Sequence, residues 1–391
     1  MTQQQGSLAG EMPSFFGGQF SANPFPMFAQ MRAMGAVVPV PFSFDPSQKV
    51  WMVTRMEEAV HVLKDKRFTV DSSLLSNTSE VLRQRAQRRD ETPGLFGRSM
   101  ISVDEPDHKR LRGLVSRAFT PKYIQSLRPS IQQIADDLLD KVQAQGHMDL
   151  VREYAYPLPI NVISDMLGVP QKSRDQIRVW AEALAGGDRT NDEERFVRVR
   201  AFSDYIVQLV AEKRQQPQED LLSQLIHMEE EGDHLSEAEL LSMAGLLIFA
   251  GHETTSNLIS IGSLMLLDHP EQMERLKADL SLVPSAVEEM LRFNGPVLTP
   301  VPRFATEDIE LGGQALHKGD MVITALASAN RDETQFSDPD EMDIARSLNR
   351  HIAFTTLLKR MPNLRLAVAR ENISWRGNFT LRGLTSLPVA W

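Results

Sequence analysis

A long run of apolar positions, broken once by polar ones, lies between Leu235 and Pro270: LSEAELLSMAGLLIFAGHETTSNLISIGSLMLLDHP. Ser236 and Glu239 have the S-x-x-E spacing of a capping box, which predicts a helix start. Asp268-His269-Pro270 predicts its end, because proline lacks the backbone donor and clashes with the preceding turn. The span is about 32 residues, about 48 Å at 1.5 Å per residue, enough to cross a whole domain. Leu240, Leu241, Ala244, Leu247, Ile248, Leu258, Ile259 and Leu264 fall on more than one helical face, which predicts burial nearly all round. The interruption is Gly251-His252-Glu253-Thr254-Thr255-Ser256-Asn257. A carboxylate and hydroxyls inside a buried helix are costly unless satisfied or used.

Three readings compete for this interruption. A membrane span needs about 18 consecutive apolar residues, and the run stops at His252. A zinc-protease helix reads H-E-x-x-H, whereas the fifth position here is Ser256. The plain structural reading is a core helix whose Glu253 pairs with an arginine elsewhere. A functional reading gains from Ala250-Gly251, small enough for a flat ligand to approach the backbone. Thr254 can bond back to a carbonyl of the preceding turn and open the helix locally. A carboxylate beside a hydroxyl in a dry groove suits proton delivery.

Elsewhere, Ala36–Pro41 and Val50–Thr54 read as short strands around the turn residues Asp45-Pro46-Ser47, and Arg55–Asp65 as a short amphipathic helix. Leu74–Ser99, with Pro93-Gly94 and Gly97, reads as a long loop; its Arg83, Arg85, Arg88 and Arg89 form a solvated face. Asp104-Glu105-Pro106-Asp107 opens a helix that carries His108 and Arg112, four apart and so on one face. They are either ordinary surface groups or two donors for one anion. Further helices are expected over Ile124–Ala144, Ile160–Leu167, Asp175–Ala185, Asn191–Gln215 and Ser285–Asn294, with Gly186-Gly187-Asp188 breaking the third from the fourth. Glu289 and Arg292 sit at i and i+3, an arrangement common by chance.

Composition narrows the classes. With 391 residues, 42% hydrophobic and 24% charged, the chain has an ordinary globular make-up. Length suggests two or three domains, but so long a central helix argues for one large unit, 1–391, mainly α with small β-sheets. The N-terminal stretch has neither a basic region nor a continuous apolar core, so neither secretion nor a membrane anchor is expected, and the localisation is cytoplasmic. The net charge of −10 argues against a nucleic-acid partner. There is no cysteine, which excludes disulfides and thiolate metal sites.

Ala250-Gly251-His252-Glu253-Thr254-Thr255 resembles the oxygen-binding segment of the long central helix of cytochrome P-450 monooxygenases. Separated segments agree with it in order. Asp104–Arg112 resembles the segment that holds a haem propionate. Glu289-x-x-Arg292 resembles the family's E-x-x-R, closed by Arg346 from an irregular segment that includes Ala329-Asn330-Arg331-Asp332, Phe336, Pro339 and Asp343. Arg303 and His351 match further propionate contacts, and Trp375 through Leu387-Pro388-Val389 matches the closing strands.

The resemblance implies the cytochrome P-450 fold, a haem b cofactor, a lipophilic and polyketide-like substrate, and a ferredoxin-type electron donor. The reaction it implies is insertion of one oxygen atom. It implies roles for Glu253 and Thr254 in proton and oxygen handling, and for Ala250 and Gly251 in leaving space above the iron. His108, Arg112, Arg303 and His351 would hold the propionates; Glu289, Arg292 and Arg346 would be a structural brace. The surface residues Lys109, Arg110, Arg117 and Lys122 are either a docking patch or a solvated face.

One part of the pattern is missing. After Arg350-His351-Ile352-Ala353-Phe354 the family has F-G-x-G-x-H-x-C-x-G, whose cysteine thiolate is the axial iron ligand. Here Phe354 runs directly into Thr355-Thr356-Leu357-Leu358-Lys359-Arg360-Met361-Pro362, which resembles the second half of the following helix. The ligand loop and the first helical turns are absent, as in an internal deletion. No other cysteine can replace the thiolate. His252 and His351 are the nearest imidazoles by motif, and both would need to reorient. The expectation is therefore an impaired monooxygenase; the alternative is a catalytically inactive, haem-free relic or ligand-binding protein.

Overall fold

A computed structural model describes residues 20, 22–41, 48–75, 84, 99–184, 192–227, 235–346, 360–361, 363–377 and 380–391. The central helix spans Glu237–Asp268, with Ser236 as its N-cap and both halves of the capping box formed. Its last turn closes on His269, and Pro270 opens the next helix, Pro270–Ala278. Because its own ends are locally encoded, its length is fixed before any packing is considered. Its N-terminal half (Leu240, Leu241, Met243, Ala244, Ile248) lies in one apolar core. Its C-terminal half (Ile259, Ile261, Leu264, Met265, Leu266) lies in another. The polar interruption falls where the two cores meet.

Other elements follow the expected ranges with instructive shifts at their starts. The expected helix Ile124–Ala144 is two, Pro121–Ser126 and Arg128–Gln143. Pro129, in the first turn of the second, has no N–H to carry the ladder through, so the chain restarts there. Prolines also mark earlier starts: the expected Ile160–Leu167 begins at Pro157, and Ser285–Asn294 begins at Val283 with Pro284 in its first turn. The helices Gln171–Leu184 and Asp192–Gln215 flank Gly186-Gly187-Asp188, which lies outside the described residues. So do Asp45-Pro46-Ser47, Arg83, Arg85, Arg88, Arg89 and the junction from Arg350 through Lys359.

The sheets are small. Val37–Val40 pairs antiparallel with Val50–Val53, which runs parallel to Met321–Thr324. Arg303–Ala305 continues from there, and Phe68–Thr69 forms the edge. Both Met56–Lys64 and Asp107–Ala118 are helical, as expected. Near the C-terminus, Trp375–Gly377 and Arg382–Leu384 form a hairpin. Its second strand lies against the central helix so closely that a Cβ on Gly383 would run into the Asn257 amide. The architecture is mainly α with small β-sheets, and no described helix is long and apolar enough to cross a membrane.

Candidate functional site

The central helix is not buried all round. Ala250, Gly251 and Thr255 are exposed, and Leu247, Thr254 and Leu258 are half-buried. Their spacing, i, i+3, i+4, i+7, i+8 and i+11, places them on one face. Leu247 and Leu258 depart from the expected full burial because they share this open stripe. Thr254 Oγ1 donates to the Ala250 carbonyl at 2.9 Å, and Thr255 Oγ1 to that of Gly251 at 3.3 Å. The helix nevertheless continues through both residues, so the expected local opening does not occur. With its proton spent on Ala250, the Thr254 hydroxyl presents acceptor lone pairs to the stripe.

Glu253 occupies different surroundings, 1% exposed. Its Oε1 accepts from Arg376 Nη1 at 2.9 Å and from Asn257 Nδ2 at 3.1 Å. Its Oε2 is 3.5 Å from His252 Nε2 and has no hydrogen-bond donor. The histidine explains this. Its Nδ1 lies 3.0 Å from the Ile248 carbonyl and must carry a proton, so in the neutral ring Nε2 is an acceptor, here for the Tyr156 hydroxyl at 2.8 Å. Burial pushes the Glu253 carboxyl up, but the Arg376 charge and the Asn257 amide oppose it, and the carboxyl lies below its ordinary range. Arg376 is thus the arginine that the plain structural reading of Glu253 asked for. No local sequence signal identified it; the hairpin brings it in.

A second cluster forms at the sheet edge. Arg303 Nη1 donates to the Phe68 carbonyl at 3.3 Å, while its Nε is buried without a partner. Burial pushes this guanidinium below its ordinary range, opposed by the charge of Asp104. The Asp104 carboxylate accepts from the Thr69 hydroxyl and from the Val70 N–H, and its carbonyl accepts from the His108 N–H. Asp104 therefore ties the start of the His108–Arg112 helix to the strand edge beside Arg303. His108 is half-buried and Arg112 exposed, while His351 lies outside the described residues.

The third group closes around Glu289, 2% exposed. Arg292 donates to it through two nitrogens at 2.7 and 2.8 Å, Arg346 Nε at 3.3 Å, and the Asp343 N–H at 2.9 Å. Arg292 also reaches the carbonyls of Asn330, Pro339 and Glu341, and Arg346 those of Ser337 and Asp338. The i, i+3 pair is therefore no chance surface pair; it organises the irregular segment.

The donor sets fit a haem on two sides only. A half-buried arginine whose Nε–H is buried without a partner suits a propionate, and the small-residue stripe suits the face of a flat ring. The axial side does not fit, because the chain contains no cysteine to supply a thiolate. Among the described residues, no group of three or more histidines and carboxylates forms a metal site.

Comparison with known proteins agrees with this architecture. The cytochrome P450 family model matches residues 160–362. The polyketide biosynthesis cytochrome P450 PksS of Bacillus subtilis (strain 168) is 38% identical over 396 aligned positions, covering 96% of this chain and 97% of the relative. The cytochrome P450 monooxygenase PikC of Streptomyces venezuelae is 38% identical over 399, covering 96% and 92%. The solved structure of PksS superposes with a TM-score of 0.86 at 38% identity, covering 96% of this chain and 99% of that one. That of myxobacterial CYP267B1 in complex with myristic acid also gives 0.86, at 37% identity, with 97% and 98% covered. The chain belongs to the cytochrome P450 family.

Proposed function

We propose that this chain is a single-domain, cytoplasmic P450-type monooxygenase for a lipophilic, polyketide-like small molecule, impaired because its axial cysteine is absent. Similarity to PksS, a relative named for polyketide biosynthesis, supports the substrate class, and a ferredoxin-type donor would supply electrons. Haem b, when bound through a thiolate, supplies the oxygen-activating centre of the family. This chain has no thiolate to offer, which leaves its residues the work of binding, positioning and proton transfer.

Those residues would act as follows. His108, Arg112, Arg303 and His351 hold the propionates by charge-assisted bonds. Ala250 and Gly251 leave room for a flat ring and an apolar ligand. Thr254 holds a water or substrate hydroxyl through its outward lone pairs. Glu253, ionised and with a free Oε2, accepts a proton behind it. Glu289, Arg292 and Arg346 brace the irregular segment.

The carrying observation is a chain that keeps the exposed stripe, the Arg303–Asp104 cluster and the E-x-x-R group and has no cysteine. An internal deletion explains both. The PksS alignment supports it: 396 positions exceed the 391-residue chain, yet cover 96% of it, about 375 residues, so about 21 positions of the relative have no counterpart here. Losing a buried helical segment costs about 2–5 kcal/mol per large apolar side chain left unpacked, against a total stability of about 5–15 kcal/mol. That favours the second reading, a haem-free relic or ligand-binding protein.

One spectrum separates these readings: purified protein, grown with haem precursor, reduced and exposed to carbon monoxide. A histidine-type Soret band, with no thiolate signature, is the expected result for an impaired haem protein. Absence of bound haem selects the relic. A strongly red-shifted, thiolate-type band would overturn the proposal.

A further inference from the structure

Tyr156 and His252 form a pair whose effect on Glu253 goes beyond packing. All three side chains are buried. Tyr156 sits at the N-cap of Pro157–Leu167 and meets the imidazole edge-on, with ring centroids 5.1 Å apart. Its hydroxyl has two acceptors in reach, His252 Nε2 at 2.8 Å and the Arg178 carbonyl at 3.4 Å. A phenol has one proton to give.

That count allows two arrangements. In the first the ring is neutral: Nδ1–H donates to the Ile248 carbonyl at 3.0 Å, and Nε2 accepts the tyrosine proton. Nε2 then turns a lone pair towards Glu253 Oε2, 3.5 Å away, and that oxygen has no donor. In the second, Nε2 has taken up one proton from solvent. The tyrosine O–H turns to the Arg178 carbonyl, its oxygen becomes an acceptor, and Nε2–H is shared between that oxygen and Oε2. One proton enters, one N–H bond forms, and Oε2 is closed. Tyr156 lines a cleft of about 680 Å³, which gives that proton a way in.

Among the described residues, three titratable or charged side chains meet the ring or its neighbouring carboxylate. Glu253, on the same helix, favours the protonated ring. Arg376, from the hairpin, lies 2.9 Å from Glu253 Oε1 and offsets part of that pull. Tyr156 opposes protonation, because a hydrogen bond accepted by the neutral form favours that form.

We infer that Tyr156 is a positioning residue for Glu253, acting through His252: its hydroxyl holds the ring neutral and so keeps Oε2 open to accept a proton. The inference rests on the proton-accepting role of Glu253 given above and adds the group that decides whether Oε2 is available.

The test is nitrogen NMR of the full chain labelled with 15N-histidine, which separates the two neutral tautomers from the imidazolium; loss of a signal in His252→Gln assigns it. The titration runs from about pH 8 to about pH 5, where histidine changes charge. The parent should begin as the neutral Nδ1–H tautomer. Tyr156→Phe keeps the edge-on ring contact, so a packing role alone leaves the titration unmoved. The inference instead requires the imidazolium to appear in Tyr156→Phe at a proton concentration at least about tenfold lower than in the parent, the worth of one hydrogen bond to a charged group. Adding Glu253→Gln should reverse that change. Circular dichroism matching the parent chain establishes that each variant is folded. Equal titration of parent and Tyr156→Phe overturns the inference and leaves the role of Glu253 standing. An Nε2–H tautomer or an imidazolium in the parent at about pH 8 also overturns it, and that measurement needs no folded variant. The carbon monoxide spectrum tests the oxygenase reading separately, since these signals do not depend on haem.

Discussion

Replacing Arg376 by Met removes the cation from a carboxylate that is 1% exposed, while the arginine itself is 15% exposed. Breaking a buried pair from one side costs about 3–5 kcal/mol, because the remaining charge stays in the interior uncompensated. Two smaller losses add to it, the Nε bond to the Leu384 carbonyl and the Nη2 bond to Asn257. These are indifferent to pH; the Glu253 part is not. In the parent chain the Glu253 carboxyl lies below its ordinary range. Its contribution is therefore present above the unfolded value, about 4.3, and is lost as pH falls through the lower native one. In Arg376→Met, desolvation is no longer opposed by that charge, so the native carboxyl moves up and the variant's deficit grows as pH rises past about 4.3. Urea unfolding followed by circular dichroism should thus give a deficit of about 3–5 kcal/mol at pH 7 that shrinks clearly by pH 4. Adding Glu253→Gln should recover part of the pH 7 deficit, a coupling on the order of 1–3 kcal/mol in the double-mutant cycle. An equal deficit at both pH values would falsify the argument, since it would assign the loss to the Leu384 and Asn257 bonds alone.

Three further outcomes follow from neighbouring contacts. Gly383→Ala places a methyl against the Asn257 amide and should cost about 1–3 kcal/mol in the same assay, more than a surface Gly→Ala change. Tyr156→Phe leaves the His252 Nε2 buried without its donor, and a loss of about 1–3 kcal/mol is expected; a neutral result would mean that water replaces the hydroxyl. Glu289→Gln removes the charge shared by Arg292 and Arg346, and proteolysis should speed up selectively within 330–346, the segment whose carbonyls those arginines hold.

The central helix was legible to the residue because its boundaries are local: a capping box at one end and a histidine-proline stop at the other need no tertiary partner. Where expected and observed helices differ, proline is the usual cause. Pro129 cuts an expected helix in two, and Pro157 and Pro284 move starts upstream, since a residue that breaks a helix interior is favoured in its first turn. The all-round burial of the helix fails at Leu247 and Leu258 for a different reason. Apolarity says that a side chain avoids water in general, not whether protein or a ligand face covers it.

The same distinction runs through the site. Thr254's bond to Ala250 is an i to i−4 contact and could be read from spacing. The environment of Glu253 could not, because Arg376 arrives on a strand 119 residues along the chain from Asn257. Arg303 and Asp104 meet only because Phe68–Thr69 pairs with Arg303–Ala305. Their electrostatics depend on burial, which the order of motifs does not carry. Motif order does carry the family, and within that order the missing cysteine becomes informative. A chain without cysteine is ordinary; a member of the P450 family that keeps the stripe, an arginine with a buried, unpartnered Nε and the Glu289 brace, yet has none, has no thiolate to offer an iron.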